Sequence, residues 1–504
     1  MKDKFSRRSF LATTATVAAG VTILPSNVIA GMGHKTPSDK LNIAGVGIGG
    51  KGFANLKSLA SENIIGLCDV DWKYAENCFN TFPGAKKYKD WRVMYDELGK
   101  SIDGVMIATA DHTHAIIAAN ALTMGKHVYL QKPLTHSVYE SRLLTKLADK
   151  YNVATQMGNQ GSSDDGVSLA YEWLANGEIG EVTKVEAFTD RPIWPQGLNT
   201  PKQGQWVPET LDWDLFTGPA QMRPYNEVYH PWNWRGWWAY GTGALGDMAC
   251  HILHPVFMGL ELGYPTKAQG NSTLLLQDCA PTAQSVKLTF PARAPKRAWK
   301  GSKKGAPLPQ VEVYWYDGGI KPMLPEGWPA GKEPNDSGGC VIFHGTKGKL
   351  VCGCYGVNPW ILHPDGTQAK PEAPQFRRRI ANSRKGGHEM DWLRACKESS
   401  ETRVATASDF SMAGPFNEMV VMGVLAVRLQ TLNKELLWDG PNMKFTNITA
   451  DEKIRIVIED GFKIQDGHPT FAKTYTDPVP ANEFAAELIK HTYRKPWSLP
   501  DMPA

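Results

Sequence analysis

The chain has 504 residues, 42% hydrophobic and 21% charged, with 48 Gly and 34 Pro, which suits two or three folded domains and excludes a disordered, collagenous or coiled-coil chain. Its formal charge is +4, but Lys2, Lys4, Arg7 and Arg8 against Asp3 place +3 of that in the first thirty residues. The rest is close to neutral, so a nucleic-acid or membrane-surface partner has no electrostatic basis.

In chain order, Ser6-Arg7-Arg8-Ser9-Phe10-Leu11 precedes a small, apolar run from Ala12 to Leu24 and then Val28-Ile29-Ala30. A charged start, a short apolar stretch and a small-residue cleavage site read as a removable leader over residues 1–30, and the adjacent arginines as the twin-arginine type. The expected location is the periplasm or another exported compartment. No other stretch reads as long and apolar enough to span a bilayer. From Leu41, short apolar runs at 41–48, 64–70, 104–108, 127–130 and 153–156 alternate with helical periodicity near 51–60, 72–80, 91–98, 114–124 and 136–150. That alternation predicts a doubly wound parallel sheet, a Rossmann-type domain over 40–158.

After a further helix at 164–176 the texture changes. Strand-like runs at 182–190, 266–277, 285–290, 310–316, 340–344 and 349–355 are separated by loops rich in Pro, Gly and Trp, and helical periodicity returns at 387–398 and 407–431. This predicts a second, α+β domain over 159–435 with a large, mainly antiparallel sheet, and a polar extension over 436–504 lying on the surface. Eight cysteines show no repeated spacing; Cys352-Gly353-Cys354 reads as strand, not as a metal or redox pair.

Gly45-Val46-Gly47-Ile48-Gly49-Gly50 fits G-x-G-x-x-G at the first strand–helix junction, and Asp69 ends the next strand. Such glycines let the backbone approach a diphosphate at a helix N-terminus, and the carboxylate accepts from ribose hydroxyls while repelling a 2′-phosphate. NAD is therefore expected ahead of NADP. Lys132, before Pro133 in Gly125-Lys126-His127-Val128-Tyr129-Leu130-Gln131-Lys132-Pro133, is displayed at the sheet's C-terminal edge, as are Thr109 and His114 in the loop 109–114. In Gly243–His254, Asp247 and His251 project from one helix face one turn apart, with His254 three residues further on. They read either as a cap and an interior histidine, or as an oriented base for a hydroxyl proton. Asp-x3-His-x2-His also has the spacing of a facial metal site, but no metal is expected.

Together the glycine turn, the His114 loop, the G-K-H-V-x-x-x-K-P run and Asp247-Met-Ala-Cys-His251 resemble the glucose–fructose oxidoreductase / inositol dehydrogenase (Gfo/Idh/MocA) family over most of residues 40–430. The resemblance implies a nicotinamide dinucleotide on the Rossmann domain and a sugar, cyclitol or similar polyol against the second domain's sheet. It implies Lys132 as a catalytic and substrate-positioning lysine, with Asp247 and His251 as polar catalytic partners. Gln131 departs from the family's usual Glu, Ala110 from its usual Pro, and the segment 190–240 exceeds the usual length.

Seven of the seventeen tryptophans fall between 188 and 240, interleaved with Arg191, Arg223, His230, Asn233 and Arg235. They suit either pyranose stacking or anchoring of irregular loops. The expected cofactor contacts are Gly45, Gly47, Ile48, Gly49, Gly50, Asp69, Thr109, His114, Gln131 and Lys132. The expected substrate contacts are Lys132, Asn159, His230, Arg235, Asp247 and His251. The expected function is oxidation of a ring hydroxyl of a sugar or glycoside by a homo-oligomeric enzyme holding NAD tightly and regenerating it in a closed redox cycle. Two alternatives stand beside it: a glycosidase acting through transient 3-keto oxidation and elimination, and a non-catalytic sugar-binding protein with a structural dinucleotide.

Overall fold

The first apolar runs become strands because both faces of each are covered, the condition of a parallel sheet. The computed structural model describes residues 39–296, 307–334, 338–369 and 387–503; the expected leader lies outside the described residues. In order come β1 (Asn42–Val46), α1 (Gly50–Ser58), β2 (Asn63–Cys68), α2 (Glu76–Thr81), β3 (Lys86–Tyr88) and α3 (Trp91–Leu98). Then follow β4 (Gly104–Ile107), α4 (Asp111–Thr123), β5 (His127–Leu130), α5 (Val138–Tyr151) and β6 (Thr155–Met157). The strands pair in parallel in the order β3-β2-β1-β4-β5-β6. β3 is the strand absent from the sequence reading: three residues at a sheet edge with two exposed lysines carry no hydrophobic alternation. Strand order reverses between β1 and β4, which opens a crevice at the strands' C-terminal ends.

The second half continues with α6 (Asp165–Asn176), β7 (Val182–Phe188), α7 (Trp213–Thr217), α8 (Gly243–Ile252), α9 (His254–Gly259), β8 (Lys267–Ser272) and β9 (Gln284–Phe290). Next are β10 (Val311–Tyr316), β11 (Cys340–Gly345), β12 (Lys349–Gly353), β13 (Trp360–Leu362), β14 (Gln368–Ala369), α10 (Gly387–Lys397), α11 (Phe410–Arg428), β15 (Leu436–Asp439) and β16 (Lys444–Phe445). These strands form one ten-stranded sheet, β14-β13-β12-β11-β7-β10-β9-β8-β15-β16. Its pairs are antiparallel except β7 with β10. All eight cysteines are buried and unbridged.

Three long-range placements depart from the linear reading. First, α10 returns to the first sheet: Trp392 Nε1 donates to Ala154 O (3.3 Å), and a Cβ on Gly104 would lie 2.9 Å from the Trp392 ring. Second, α11 is long and apolar enough to cross a bilayer, where the sequence predicts no such stretch beyond the leader. Its side chains are mostly buried, and Asn417 ties it to the Thr135 and Ser141 side chains. Its apolarity is that of a helix covered on all sides. Third, β15 pairs with β8, so a boundary at 436 would cut the large sheet. Beyond it lie β17 (Lys453–Ile454), the hairpin of β18 (Val457–Gln465) and β19 (His468–Tyr475), β20 (Val479–Pro480) and α12 (Ala481–Ile489).

Candidate functional site

The C-terminal ends of β3, β2, β1, β4 and β5 floor one cleft. Crossing it, Trp91 follows β3, Asp69 follows β2, Gly47 follows β1, Thr109 follows β4, and Gln131 and Lys132 follow β5. Four strand spacings give a trough of roughly 19 Å.

The middle of this trough fits a dinucleotide. Gly47 has φ +72°, and a Cβ there would sit 2.7 Å from the Ala108 carbonyl, so only glycine allows β1 to turn so close to β4. Asp69 Oδ2 accepts from Ile48 N (2.9 Å) and Gly49 N (3.1 Å), and Oδ1 accepts from Asp71 N (3.0 Å). A carboxylate has about four acceptor positions, so Asp69 shapes the turn with three of them and keeps one on Oδ1. Burial raises its carboxyl, opposed by those backbone N–H groups. Tyr74 lies across the turn, and its ring would meet a Cβ on Gly49 at 2.2 Å.

The β5 end carries charge. Lys132 Nζ is 2.8 Å from Asp247 Oδ1 and donates to Asp247 O at 3.0 Å; Arg235 Nε donates to the same Oδ1 at 3.2 Å. Burial by itself would raise the Asp247 carboxyl, but Lys132 and Arg235 hold it at about 2. The Arg235 guanidinium lies 3.9 Å from the Trp232 ring centre and 4.4 Å from that of Trp234, so it is fixed by two aromatic faces. Lys132 and Arg235 border the cleft and Asp247 stands directly behind them. One turn along α8, burial and Lys132 push His251 well below its ordinary value, leaving a neutral ring. His251 lies 4.6 Å from the Tyr355 ring, and its Nδ1 has no partner among the described residues. Asp111 fastens α8 to α4: its Oδ2 accepts from Thr242 N (3.1 Å) and Oγ1 (2.8 Å), and burial raises it to about 7.

Other expected residues fall elsewhere. His114 does not border the cleft; its Nδ1 lies 2.8 Å from Pro133 O and its Nε2 3.1 Å from Thr109 O, so it braces the two loops that do. Gly45 is in β1 and Ile48 is fully buried, contributing only its N–H to Asp69. Asn159 is buried against α8, donating to Cys250 O (3.2 Å), with Oδ1 unpartnered among the described residues. His230 borders the cleft at the Asp69 end, not beside Lys132: its Nε2 bonds Asp71 Oδ2 (2.9 Å) and its ring meets Phe216. His254 does not share the Asp247 face, because α8 ends at Ile252 and His254 begins α9, where its ring packs edge-on against Phe416. Of the aromatic cluster, Trp213, Tyr225, Tyr229, Trp237 and Tyr240 form a small core of their own, and Trp232 and Trp234 flank Arg235 in the cleft. Trp206 is almost fully exposed. The sequence reading missed Lys51, Tyr74, Trp91, His112 and Trp497, all of which border the cleft. Two of them carried a signal: Lys51 directly after the glycine turn, and His112 within the segment 109–114.

Two family models match: the NAD-binding Rossmann fold of the Gfo/Idh/MocA oxidoreductases over residues 40–159, and their C-terminal alpha/beta domain over 178–292. Residues 40–159 and 178–292 thus carry the two domains of the Gfo/Idh/MocA oxidoreductase family. Glucose-6-phosphate 3-dehydrogenase of Bacillus subtilis is 26% identical over 148 residues, 29% of this chain and 41% of that protein. Levoglucosan dehydrogenase of Pseudarthrobacter phenanthrenivorans is 27% identical over 187 residues, 37% of this chain and 40% of that protein. The matched stretches thus span about two fifths of these curated relatives. The WlbA dehydrogenase of Chromobacterium violaceum, solved with NADH and UDP-GlcNAcA, superposes with a TM-score of 0.53 at 17% identity, covering 80% of this chain and 96% of that one. At that identity the likeness is one of fold.

Within the Gfo/Idh/MocA frame, the Gln131 departure has a structural counterpart. Gln131 Nε2 donates to Asn55 Oδ1 (2.9 Å), and Asn55 Nδ2 donates to Glu389 Oε1 (2.6 Å). The carboxylate missing from β5 is thus present two side chains away, brought by α10.

Proposed function

We propose that this protein oxidises a ring hydroxyl of a sugar or glycoside, with NAD held lengthwise along the trough. The observation that carries the reading is the Lys132–Asp247–Arg235 cluster at the β5 end of the same cleft that holds the glycine turn and Asp69. When bound, the dinucleotide supplies the hydride acceptor. The chain's own residues have the proton to manage. Lys132, fixed by Asp247, presents an ammonium that polarises the hydroxyl oxygen and favours its deprotonated form. His251 is neutral and takes the proton, and the Asp247 carboxylate one turn away offsets the imidazolium charge. Arg235 keeps Asp247 ionised and forms a rigid wall with Trp232 and Trp234 on which a sugar ring stacks. In this reading residues 1–30 act as a twin-arginine leader, and the chemistry takes place outside the cytoplasm, where a dependable soluble dinucleotide pool is absent. The cofactor is therefore retained and reoxidised in place, by a second substrate or by the first after rearrangement, in a homo-oligomer.

The test is to add a panel of sugars and glycosides to the purified full chain loaded with NAD, following NADH absorbance and ketone formation. Absorbance that rises with one of them supports the reading, and silence across a broad panel overturns it. Aglycone release from aryl glycosides without net ketone would replace oxidation by net hydrolysis.

A further inference from the structure

The cleft does not end on the Rossmann domain. Beyond Asp69, on the side away from Lys132, its walls are Val70, Lys89, Trp91, Ile117, Leu215 and Trp497. The first four belong to the strand ends and helices of the first sheet. Leu215 comes from α7 in the long segment between β7 and α8, and Trp497 from the stretch after α12. Nothing in the hydride-transfer reading uses either of them.

The stretch after α12 is tied down at successive points. Tyr493 Oη donates to Glu140 Oε1 (2.7 Å), a buried acid at the start of α5. Arg494 N donates to Pro219 O (2.8 Å), while its guanidinium donates to Asp214 Oδ1 (2.8 Å) and Gly218 O (2.9 Å), on and just after α7. Trp497 N then donates to Arg494 O (2.9 Å), which turns the indole down into the cleft. There its ring centre is 6.3 Å from that of Trp91 with 40° between the planes, and the Arg92 guanidinium sits 4.4 Å from it. Arg92 is pinned in turn by Asp90, the N-cap of α3. The indole is 7% exposed, so the strap closes a corner instead of lying on an open surface.

The polarity of the trough says what that corner holds. Asp69 marks the ribose one strand in, and Lys132 marks the reacting end three strands further. The group beyond Asp69 is therefore the purine, a flat apolar ring that aromatic side chains bind by stacking. Resting on the dinucleotide reading above, we propose that Trp497, held by the 491–497 strap, is the roof of an adenine pocket. Release of the dinucleotide then requires Arg494 to leave α7, so the strap retains the cofactor between turnovers.

The experiment is calorimetric titration of the dinucleotide-stripped full chain with NAD, AMP and nicotinamide mononucleotide. Trp497→Ala should weaken NAD and AMP by the same factor, roughly tenfold or more for loss of one stacking partner, and leave nicotinamide mononucleotide unchanged. Trp497→Phe, which keeps an aromatic face, should restore most of the affinity. Arg494→Ala should speed NAD dissociation measured by displacement. An unchanged AMP affinity in Trp497→Ala, or an equal loss for AMP and nicotinamide mononucleotide, overturns the adenine assignment while leaving the dinucleotide reading in place. A wild-type chain that takes neither NAD nor AMP overturns both.

Discussion

Asp247→Asn tests the charge cluster most directly. The carboxyl is held at about 2 against an ordinary 3.8, so its ionised form is favoured in the folded chain by about 2 kcal/mol. The substitution removes that term and leaves Lys132 and Arg235, both mostly buried, facing each other without an anion. Breaking a buried pair costs about 3–5 kcal/mol, so a loss of roughly 2–5 kcal/mol is expected near neutral pH. The sign with pH follows from the depressed carboxyl. The stabilisation is complete above about pH 4, the ordinary carboxylate range, and is lost as pH falls through about 2. Thermal unfolding of wild type and Asp247→Asn from pH 7 to pH 2 should show a gap that is constant above pH 4 and narrows below it. A second arm adds Arg235→Gln; the double variant should be less destabilised than the two single losses together, because the excess cation has gone. A variant as stable as wild type at pH 7, or a gap that does not change in acid, would refute the account of how Asp247 is held.

Three further outcomes are expected. Lys132→Ala should abolish turnover while the chain still binds NAD, checked by calorimetry beside the sugar assay; retained turnover removes Lys132 from proton handling. Asp69→Ala should weaken NAD and narrow its margin over NADP, and because Asp69 also holds Ile48 and Gly49 N–H, NADP should gain little in absolute terms. An unchanged ratio of the two affinities contradicts the ribose role. Gly47→Ala places a methyl 2.7 Å from the Ala108 carbonyl at a left-handed backbone position, which should cost about 1–3 kcal/mol and depress NAD binding; a variant with wild-type melting temperature and affinity would show that the turn relaxes freely.

Several parts of the site were legible because they are local. A glycine turn between an apolar run and a helix, an acid one strand on, and a lysine before proline all lie within a few residues of the strand ends that display them. The spacing of Asp247 and His251 put them on one helix face; His254, read on the same helix, begins another one in the structure. His114 reads as a strand-end loop residue in the sequence, but it lies in the first turn of α4, where its ring turns to the Pro133 and Thr109 carbonyls. His230 does line the cleft, but Asp71, 159 residues distant, decides at which end its ring sits.

What the sequence by itself determined is the alternation of elements, the doubly wound sheet and the identity of the residues offered at its C-terminal edge, because each depends on hydrophobic period and turn chemistry over short spans. What only the tertiary structure decided is which distant side chains close the cleft. Lys132 meets Asp247 across 115 residues, Glu389 stands behind Gln131 through Asn55, and Trp497 comes to rest beside Trp91. Those pairings follow from burial and hydrogen bonding among segments that share no local pattern, and the energy that selects them exists only once the chain has folded back on itself.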